Sequence, residues 1–103
     1  MTRETVIKIP VEELAEVQRL LDSNELIPDC RDAEVYQKWT GKFPDGFECD
    51  IKLVNAEGGP YLDCVLFDHH GCELAVIEPA YSLPGEYTWH LGSDEYVCRV
   101  VKS

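Results

Sequence analysis

The sequence lacks the long apolar runs that would tie it to a membrane. No stretch approaches the roughly 20 apolar residues that a bilayer-spanning helix requires. The first ten residues are charged and end at Pro10, whereas a secretory signal has an apolar core of its own. We therefore expect a cytoplasmic protein that makes no contact with a membrane.

Basic residues are also scarce. The 103 residues include nine Lys and Arg against 20 Asp and Glu, which gives a formal net charge of −11. Such a field repels nucleic acid and attracts cationic partners. Acidity also promotes solubility. We expect a basic protein partner and no binding of nucleic acid.

Catalytic and nucleotide-binding motifs are absent from the sequence. It contains no G-x-S-x-G, P-loop, Rossmann glycine run or H-E-x-x-H motif. Gly58 and Gly59 precede Pro60 and a predicted strand, so they lack the helix N-terminus that binds phosphate. Glu48 and Asp50 share a strand face with a lysine, which is typical of a solvated surface. We assign no catalytic residue, no cofactor-binding residue and no cofactor, and we do not expect an enzyme.

The five cysteines do not form a C-x-x-C pair, and their number is odd. Without an export signal, we expect free thiols rather than a disulfide framework. Four of the five lie in apolar strand patterns, where a thiol behaves as a small buried hydrophobe. Cys98 and His90 lie on neighbouring predicted strands but on opposite faces, which argues against a nucleophilic pair. The cysteines are Cys30, Cys49, Cys64, Cys72 and Cys98.

The segment around residue 70 is the one candidate metal site. Asp68, His69, His70 and Cys72 all have metal-ligating side chains. However, neighbouring residues of an extended chain point to opposite sides, so the two histidines would not easily share an ion. A tight hairpin explains Asp68 at the first turn position and Gly71 in a left-handed conformation. We interpret the segment as an exposed turn and assign no metal ligand.

One amphipathic helix is predicted near the start of the chain. Between Val11 and Leu21 the apolar residues recur with helical spacing, and acidic residues occupy the other face. Pro10 suits a helix start, and the polar residues 22–24 supply a stop. The predicted apolar face consists of Val11, Leu14, Ala15, Gln18 and Leu21, with Val17 and Leu20 beside them.

From Val35 to Lys102 the pattern changes to a period of two, which is typical of strands. Turn residues recur about every eleven or twelve positions, as in an antiparallel meander. We predict strands near residues 35–39, 47–53, 61–67, 72–77, 86–91 and 95–101, a loop at 79–85, and a weaker strand at 3–10. The expected fold is a single α+β domain over residues 1–103, with an N-terminal helix packed on a curved, mainly antiparallel meander of five to six strands. A small β-barrel or sandwich capped by the helix is the alternative.

The predicted function follows from these features. We expect a small acidic interaction or regulatory domain without catalysis of its own, which covers a basic partner. The alternatives are a small-molecule or metal-binding module, and an oligomeric enzyme whose site is not visible in the sequence. Exposed sheet edges would allow a homodimer. Tyr36, Tyr61 and Tyr81 are free of the core pattern and are candidates for lining a groove or an interface.

Overall fold

A computed structural model describes residues 1–81 and 83–103. Two parts of the predicted loop at 79–85 lie outside the described residues. These are Ser82 and the side chain of Pro79. The chain forms one helix and seven strands in the described part. These are β1 (Thr2–Ile9), α1 (Val11–Ser23), β2 (Val35–Lys42), β3 (Glu48–Val54), β4 (Tyr61–Phe67), β5 (Glu73–Ala80), β6 (Gly85–Leu91) and β7 (Asp94–Lys102).

The strands form two sheets rather than one. Strands β2, β3, β4 and β5 make a four-stranded antiparallel meander in sequence order. In the second sheet β7 lies in the centre, antiparallel to β6 and parallel to β1. The predicted helix-plus-sheet fold, mainly antiparallel, is confirmed in this coarse form.

Two details of the predicted fold are wrong. The helix is not the first element, because the weaker strand predicted at 3–10 precedes it as β1, and the described residues form seven strands rather than five or six. Both errors have one cause: Thr2 pairs with Glu95 and Ile9 with Lys102. This pairing joins residues more than ninety positions apart, and no local pattern encodes a partner at that distance.

The core lies between the two sheets and follows the predicted alternation. On β3 and β4 the inward residues are fully buried, including Cys49, Ile51 and Cys64. On β7 the buried row includes Cys98. Cys72 differs from the prediction because it is exposed; it ends the turn before β5 begins at Glu73.

The sheets approach each other at two sides without joining. Strand β1 lies beside β2 and β5 beside β6, but each pair is split between the two hydrogen-bonded sheets. The first approach requires a glycine. A Cβ on Gly41 would lie 2.9 Å from Cγ2 of Thr5 and 3.2 Å from Sγ of Cys49. The molecule is therefore a pair of facing sheets that closes on neither side.

Helix α1 buries a narrower face than predicted. Leu14, Val17, Leu20 and Leu21 are buried, whereas Val11 is 50% exposed. The predicted face also contained Ala15, which is exposed. The helix ends where Asn24 takes the left-handed conformation (φ 54°), as helix caps commonly do. At thirteen residues it is too short and too polar to cross a membrane, and the described chain contains no other helix.

Two polar side chains fix the position of α1 on the sheets. Oε1 of Glu13 accepts hydrogen bonds from Nε2 of Gln37 and, at 3.0 Å, from Nε1 of Trp39 on β2. Oε1 of Gln18 accepts from the backbone N of Leu83, at 3.2 Å, in the connection before β6. The helix therefore bridges from the first sheet to the chain segment that enters the second.

The topology separates two ends of the molecule. The β2–β3 and β4–β5 turns lie at one end of the antiparallel meander. The β6–β7 turn lies at the same end, because Arg3 pairs both with Asp45 in the β2–β3 turn and with Asp94 at the start of β7. The β3–β4 and β5–β6 connections lie at the other, where β1 also runs into α1. We call the second the acidic end and define it as residues 22–34, 55–61 and 78–81. These segments contain seven acidic residues and one basic residue, Arg31.

Candidate functional site

A buried asparagine holds the acidic end together. Asn55 is fully buried at the end of β3. Its Oδ1 accepts a hydrogen bond from the backbone N of Ile27 at 2.6 Å. Its Nδ2 donates to the backbone oxygens of Cys30 at 2.9 Å and Arg31 at 3.2 Å. The irregular segment at 24–34 is thus tied to the sheet by a side chain with all its polar atoms paired.

Further contacts bring the β3–β4 connection against the same segment. The backbone N of Glu57 donates to Oδ1 of Asp32 at 2.7 Å. A Cβ on Gly59 would lie 2.7 Å from Cα of Asn24, so only glycine allows this approach. The φ of Gly59 is +122°, a conformation that other residues rarely adopt. The end of the helix therefore lies directly against the β3–β4 connection.

A pocket of about 490 Å³ lies beside these contacts, and we call it the acidic pocket. Its volume is in the range of small-ligand sites, roughly 300–1,000 Å³. The walls come from the helix cap, the β3–β4 connection, and the region where β5 ends. The lining residues are Asn24, Ala56, Glu57, Gly58, Gly59, Pro60, Tyr61, Glu78 and Tyr81.

The two charged residues that line the acidic pocket are both negative. Glu57 and Glu78 line it, and neither forms an ion pair within the described residues. Helix α1 ends at its wall with no basic residue in the last turn, and a helix C-terminus carries roughly half a negative charge. The negative potential therefore comes from side chains and backbone together.

Two of the three tyrosines predicted to line a groove do so. Tyr61 is half-buried and Tyr81 is 56% exposed, and both line the acidic pocket. Burial raises the pKa of Tyr61, and the negative charges of Glu78 and Asp63 raise it further. Tyr36 is 45% exposed on β2 and does not line this pocket. The tyrosines could be anticipated from the sequence, but the two glutamates were missed because their segments are distant in the chain.

The segment at 68–72 is an exposed turn. Oδ1 of Asp68 accepts from the backbone N of His70 and of Cys72, both at 2.9 Å. The bond from Cys72 is the main cause of a pKa below the usual range for Asp68. The rings of His69 and His70 lie 4.0 Å apart between centroids, so the expectation that they point to opposite sides is wrong; the turn curls them together. In the described part of the chain no three His, Cys, Asp or Glu residues are grouped to hold a metal ion.

The fold does not bring the other candidate catalytic residues of the sequence into a common site. Cys98 is fully buried and pairs across the strands with Tyr87, whereas His90 is exposed and pairs with Glu95. The two side chains are on opposite faces, as the hairpin predicts. Glu48 and Asp50 also have ordinary surface partners. Glu48 is 4.0 Å from Nζ of Lys42, and Asp50 accepts from Oγ1 of Thr40 at 2.8 Å.

A polar network at the turn end was missed by sequence reasoning. The hydroxyl of Tyr96 donates to Oδ2 of Asp45 at 2.7 Å, and Nε of Arg3 lies 3.1 Å from the same oxygen. Burial opposes ionisation of Asp45, but the bonds from Tyr96 and the backbone N of Phe47, together with Arg3, lower its pKa overall. Burial and the bond to Asp45 raise the pKa of Tyr96 to about 12. The network joins β1, β7 and the β2–β3 turn, and it is neutralised internally.

A second, shallower cavity of about 520 Å³ lies along the hairpin of β6 and β7. Of its three charged lining residues, Arg99 and Glu86 pair with each other, and the third, Lys102, is basic. Arg99 is 2.7 Å from Glu4 through NH1 and 3.1 Å from Glu86 through Nε. The acidic pocket differs from it because both of its charged lining residues are acidic and neither is in an ion pair within the described residues.

Comparison with known proteins leaves function to be argued from geometry. The chain matches no family model, no curated protein and no solved structure.

Proposed function

We propose that this protein is a non-catalytic interaction domain that binds a basic protein partner through its acidic end. The observation that carries the proposal is the separation of charge by the fold. Within the described residues, the ion pairs of Arg3, Arg99 and Lys42 lie on the strands and the turn end. The acidic end has seven carboxylates, and its single basic residue, Arg31, forms no ion pair with any residue that the structure describes.

The acidic end is also held in a fixed conformation, which favours binding. The bonds of Asn55 fix the segment at 24–34, so its carboxylates are presented on an ordered backbone. On binding, this segment would lose less conformational entropy than a flexible loop would. Complementary charge would speed the encounter and make it sensitive to salt.

Free thiols support a reducing compartment for this interaction. All five cysteines are unpaired, and disulfides are rare in the cytosol. We accordingly propose the cytoplasm as the location. The proposal involves no cofactor and no nucleic acid.

The test is binding of a twelve-residue peptide in which lysine and serine alternate, measured at several salt concentrations. Affinity should fall steeply with salt, because charges separated by more than a Debye length are screened. The triple variant Glu25→Gln, Asp29→Asn, Glu57→Gln should bind at least tenfold more weakly. Asparagine at position 29 suits the left-handed backbone there (φ 66°), so the fold should persist.

The matched control has the same net charge with its substitutions placed elsewhere. Glu12→Gln, Glu73→Gln and Glu95→Gln remove three carboxylates outside the acidic end, none of which is in an ion pair within the described chain. This variant should bind within about twofold of the wild type. Equal losses in both triples would mean that net charge alone attracts the peptide, and the proposal would be wrong. Absence of binding at low salt would also refute it.

The predicted homodimer remains a separate proposal. Strand β5 is an edge of its sheet, and Leu74 and Val76 are 38% and 47% exposed on it. An edge strand with apolar side chains favours pairing with a second copy. Light scattering at increasing protein concentration would detect the dimer, and a constant monomer mass would exclude this use of the edge.

A further inference from the structure

The acidic pocket combines two features that together favour a particular ligand. Its carboxylates, Glu57 and Glu78, attract a cation, and its rings, Tyr61 and Tyr81, offer flat aromatic surface. A guanidinium group is planar, stacks on aromatic rings and bonds carboxylates through several N–H donors. An alkylammonium shares the charge but not the flat shape. The pocket therefore fits an arginine side chain better than any other in a protein.

The end of the helix adds an independent preference for a cation. Asn24, which lines the pocket, is the first residue after α1. A helix C-terminus attracts positive charge, and proteins usually place Lys, Arg or His in the last turn to meet it. The last turn of α1 has no basic residue and instead contains Asp22. The backbone and the side chains thus favour the same charge at the same place.

The turn end provides an internal comparison. There Asp45 and Asp94 flank Arg3, with Nε 3.1 Å from one carboxylate and NH1 3.3 Å from the other. The guanidinium carbon of Arg3 lies 5.3 Å from the centre of the Tyr96 ring. Two carboxylates and a tyrosine around one arginine are thus an arrangement that this chain already forms within itself. The acidic pocket has the carboxylates and the tyrosines, and among residues 1–81 and 83–103 no Lys or Arg lines it.

We propose that the acidic pocket holds one arginine side chain of the basic partner, with its guanidinium near Glu57 and Glu78 and stacked on Tyr81. This inference rests on the proposed function, because it names the partner's anchoring residue. Aromatic and arginine anchors in a pocket carry much of the binding energy at protein interfaces. The surrounding carboxylates of the acidic end would then steer the partner, while the pocket would select the residue.

The direct test uses small probes, so that it does not depend on an identified partner. N-acetyl-arginine amide, N-acetyl-lysine amide and N-acetyl-norleucine amide are titrated into the wild-type protein and followed by amide NMR shifts. The arginine probe should give saturable shifts at the backbone of Asn24, Glu57, Gly58, Gly59 and Tyr61. The lysine probe should bind several-fold more weakly, and the neutral probe should not saturate.

Variants separate the charge from the ring. Glu57→Gln with Glu78→Gln should weaken the arginine probe at least tenfold, because both carboxylate partners are lost. Tyr81→Leu keeps apolar volume and removes the ring, and should cost severalfold. The matched control Glu12→Gln with Glu73→Gln, which has the same net charge as the first variant, should change nothing. Circular dichroism checks that each variant is folded, and all four carboxylates changed are exposed.

The outcomes are distinguishable from those of the lysine–serine peptide. If that peptide binds the acidic end and the arginine probe shows no saturable shifts, the pocket inference is wrong and the proposed function stands. Shifts outside the pocket, or equal losses in the control variant, would also overturn the inference. Tighter binding of the lysine probe would overturn the choice of arginine. If the peptide does not bind, the proposed function fails, whatever the probe does.

Discussion

Replacing Asn55 tests the idea that one side chain orders the acidic end. In Asn55→Ala the backbone N–H of Ile27, a residue 4% exposed, loses its acceptor. A buried donor left without a partner costs about 1–3 kcal/mol. The oxygens of Cys30 and Arg31 lose a donor as well. Because Arg31 is exposed and Cys30 half-buried, water can replace these two bonds, and we add only about 1 kcal/mol.

The expected loss is therefore about 2–4 kcal/mol of the free energy of unfolding, from a total of roughly 5–15 kcal/mol for a domain of this kind. With a urea m-value of about 1.5 kcal/mol/M, the unfolding midpoint should fall by roughly 1.3–2.7 M. Equilibrium unfolding by urea, followed by tryptophan fluorescence, measures this shift. Binding of the lysine–serine peptide should weaken in the same variant, because its carboxylates lose their fixed backbone.

Two companion variants make this prediction refutable. Asn24→Gly changes the other asparagine of the acidic end, which is exposed and left-handed, and should shift stability by about 0.5 kcal/mol or less. Asn55→Asp keeps the acceptor for Ile27 but turns an oxygen toward two carbonyl oxygens. It should be strongly destabilised at neutral pH and recover partly on acidification, when the carboxyl can donate again. A loss below 1 kcal/mol in Asn55→Ala would refute the anchoring role.

Three further predictions concern the core, the thiols and the turn end. Gly41→Val should destabilise by about 1–3 kcal/mol through overpacking where the sheets meet, measured by urea unfolding; an unchanged midpoint would mean that the sheets separate freely there. In the native protein a disulfide-forming thiol reagent should modify Cys72 rapidly and Cys30 more slowly, while the buried thiols react only after denaturation; fast reaction of more than two thiols would contradict the described core. Because the pKa of Asp45 is lowered in the folded state, its contribution is present above the unfolded pKa, near 4, and is lost as pH falls through the folded value. The thermal unfolding temperature should therefore fall less steeply between pH 6 and 2 in Asp45→Asn than in the wild type. An unchanged dependence of the unfolding temperature on pH would show that Asp45 does not contribute to it.

The alternation of apolar and polar residues correctly predicted which strand residues face the core, because this alternation depends only on neighbouring positions in the sequence. The alternation from Phe47 to Leu53 placed Cys49 and Ile51 inward, and both are fully buried. The hairpin of β6 and β7 separated Cys98 from His90 as expected. Pairing of distant segments was not predictable, because the weak alternation at residues 3–10 does not specify a parallel partner at the other end of the chain.

The candidate site had the same limit. Tyr61 and Tyr81 stood out because they fit no core pattern, and both line the acidic pocket. Glu57 and Glu78 are ordinary acidic residues in an acidic chain, and they are twenty-one positions apart. The contact of Gly59 with Asn24 places the segment of Glu57 at the end of the helix, and the pairing of Leu62 with Ala80 places the segment of Glu78 beside Tyr61. The one sequence feature that pointed to this site was Asn55 directly after an apolar strand, because a polar side chain buried at such a place must be hydrogen-bonded and can hold a loop in position.

The parallel pairing of β1 with β7 has a consequence for how the chain acquires its structure. The meander from β2 to β5 joins strands that are close in sequence, so it can form while the chain is still being synthesised. The second sheet has β7 at its centre, so β1 has no neighbour in that sheet until residues 94–102 have emerged. Closing a loop of about ninety residues costs roughly 4 kcal/mol of chain entropy in the length-dependent part alone. Strand β1 is thus synthesised before β7 but can join its sheet only after β7. Until β7 is synthesised, Ile7 and Ile9, which are buried in the folded protein, would be accessible to a chaperone that binds the nascent chain.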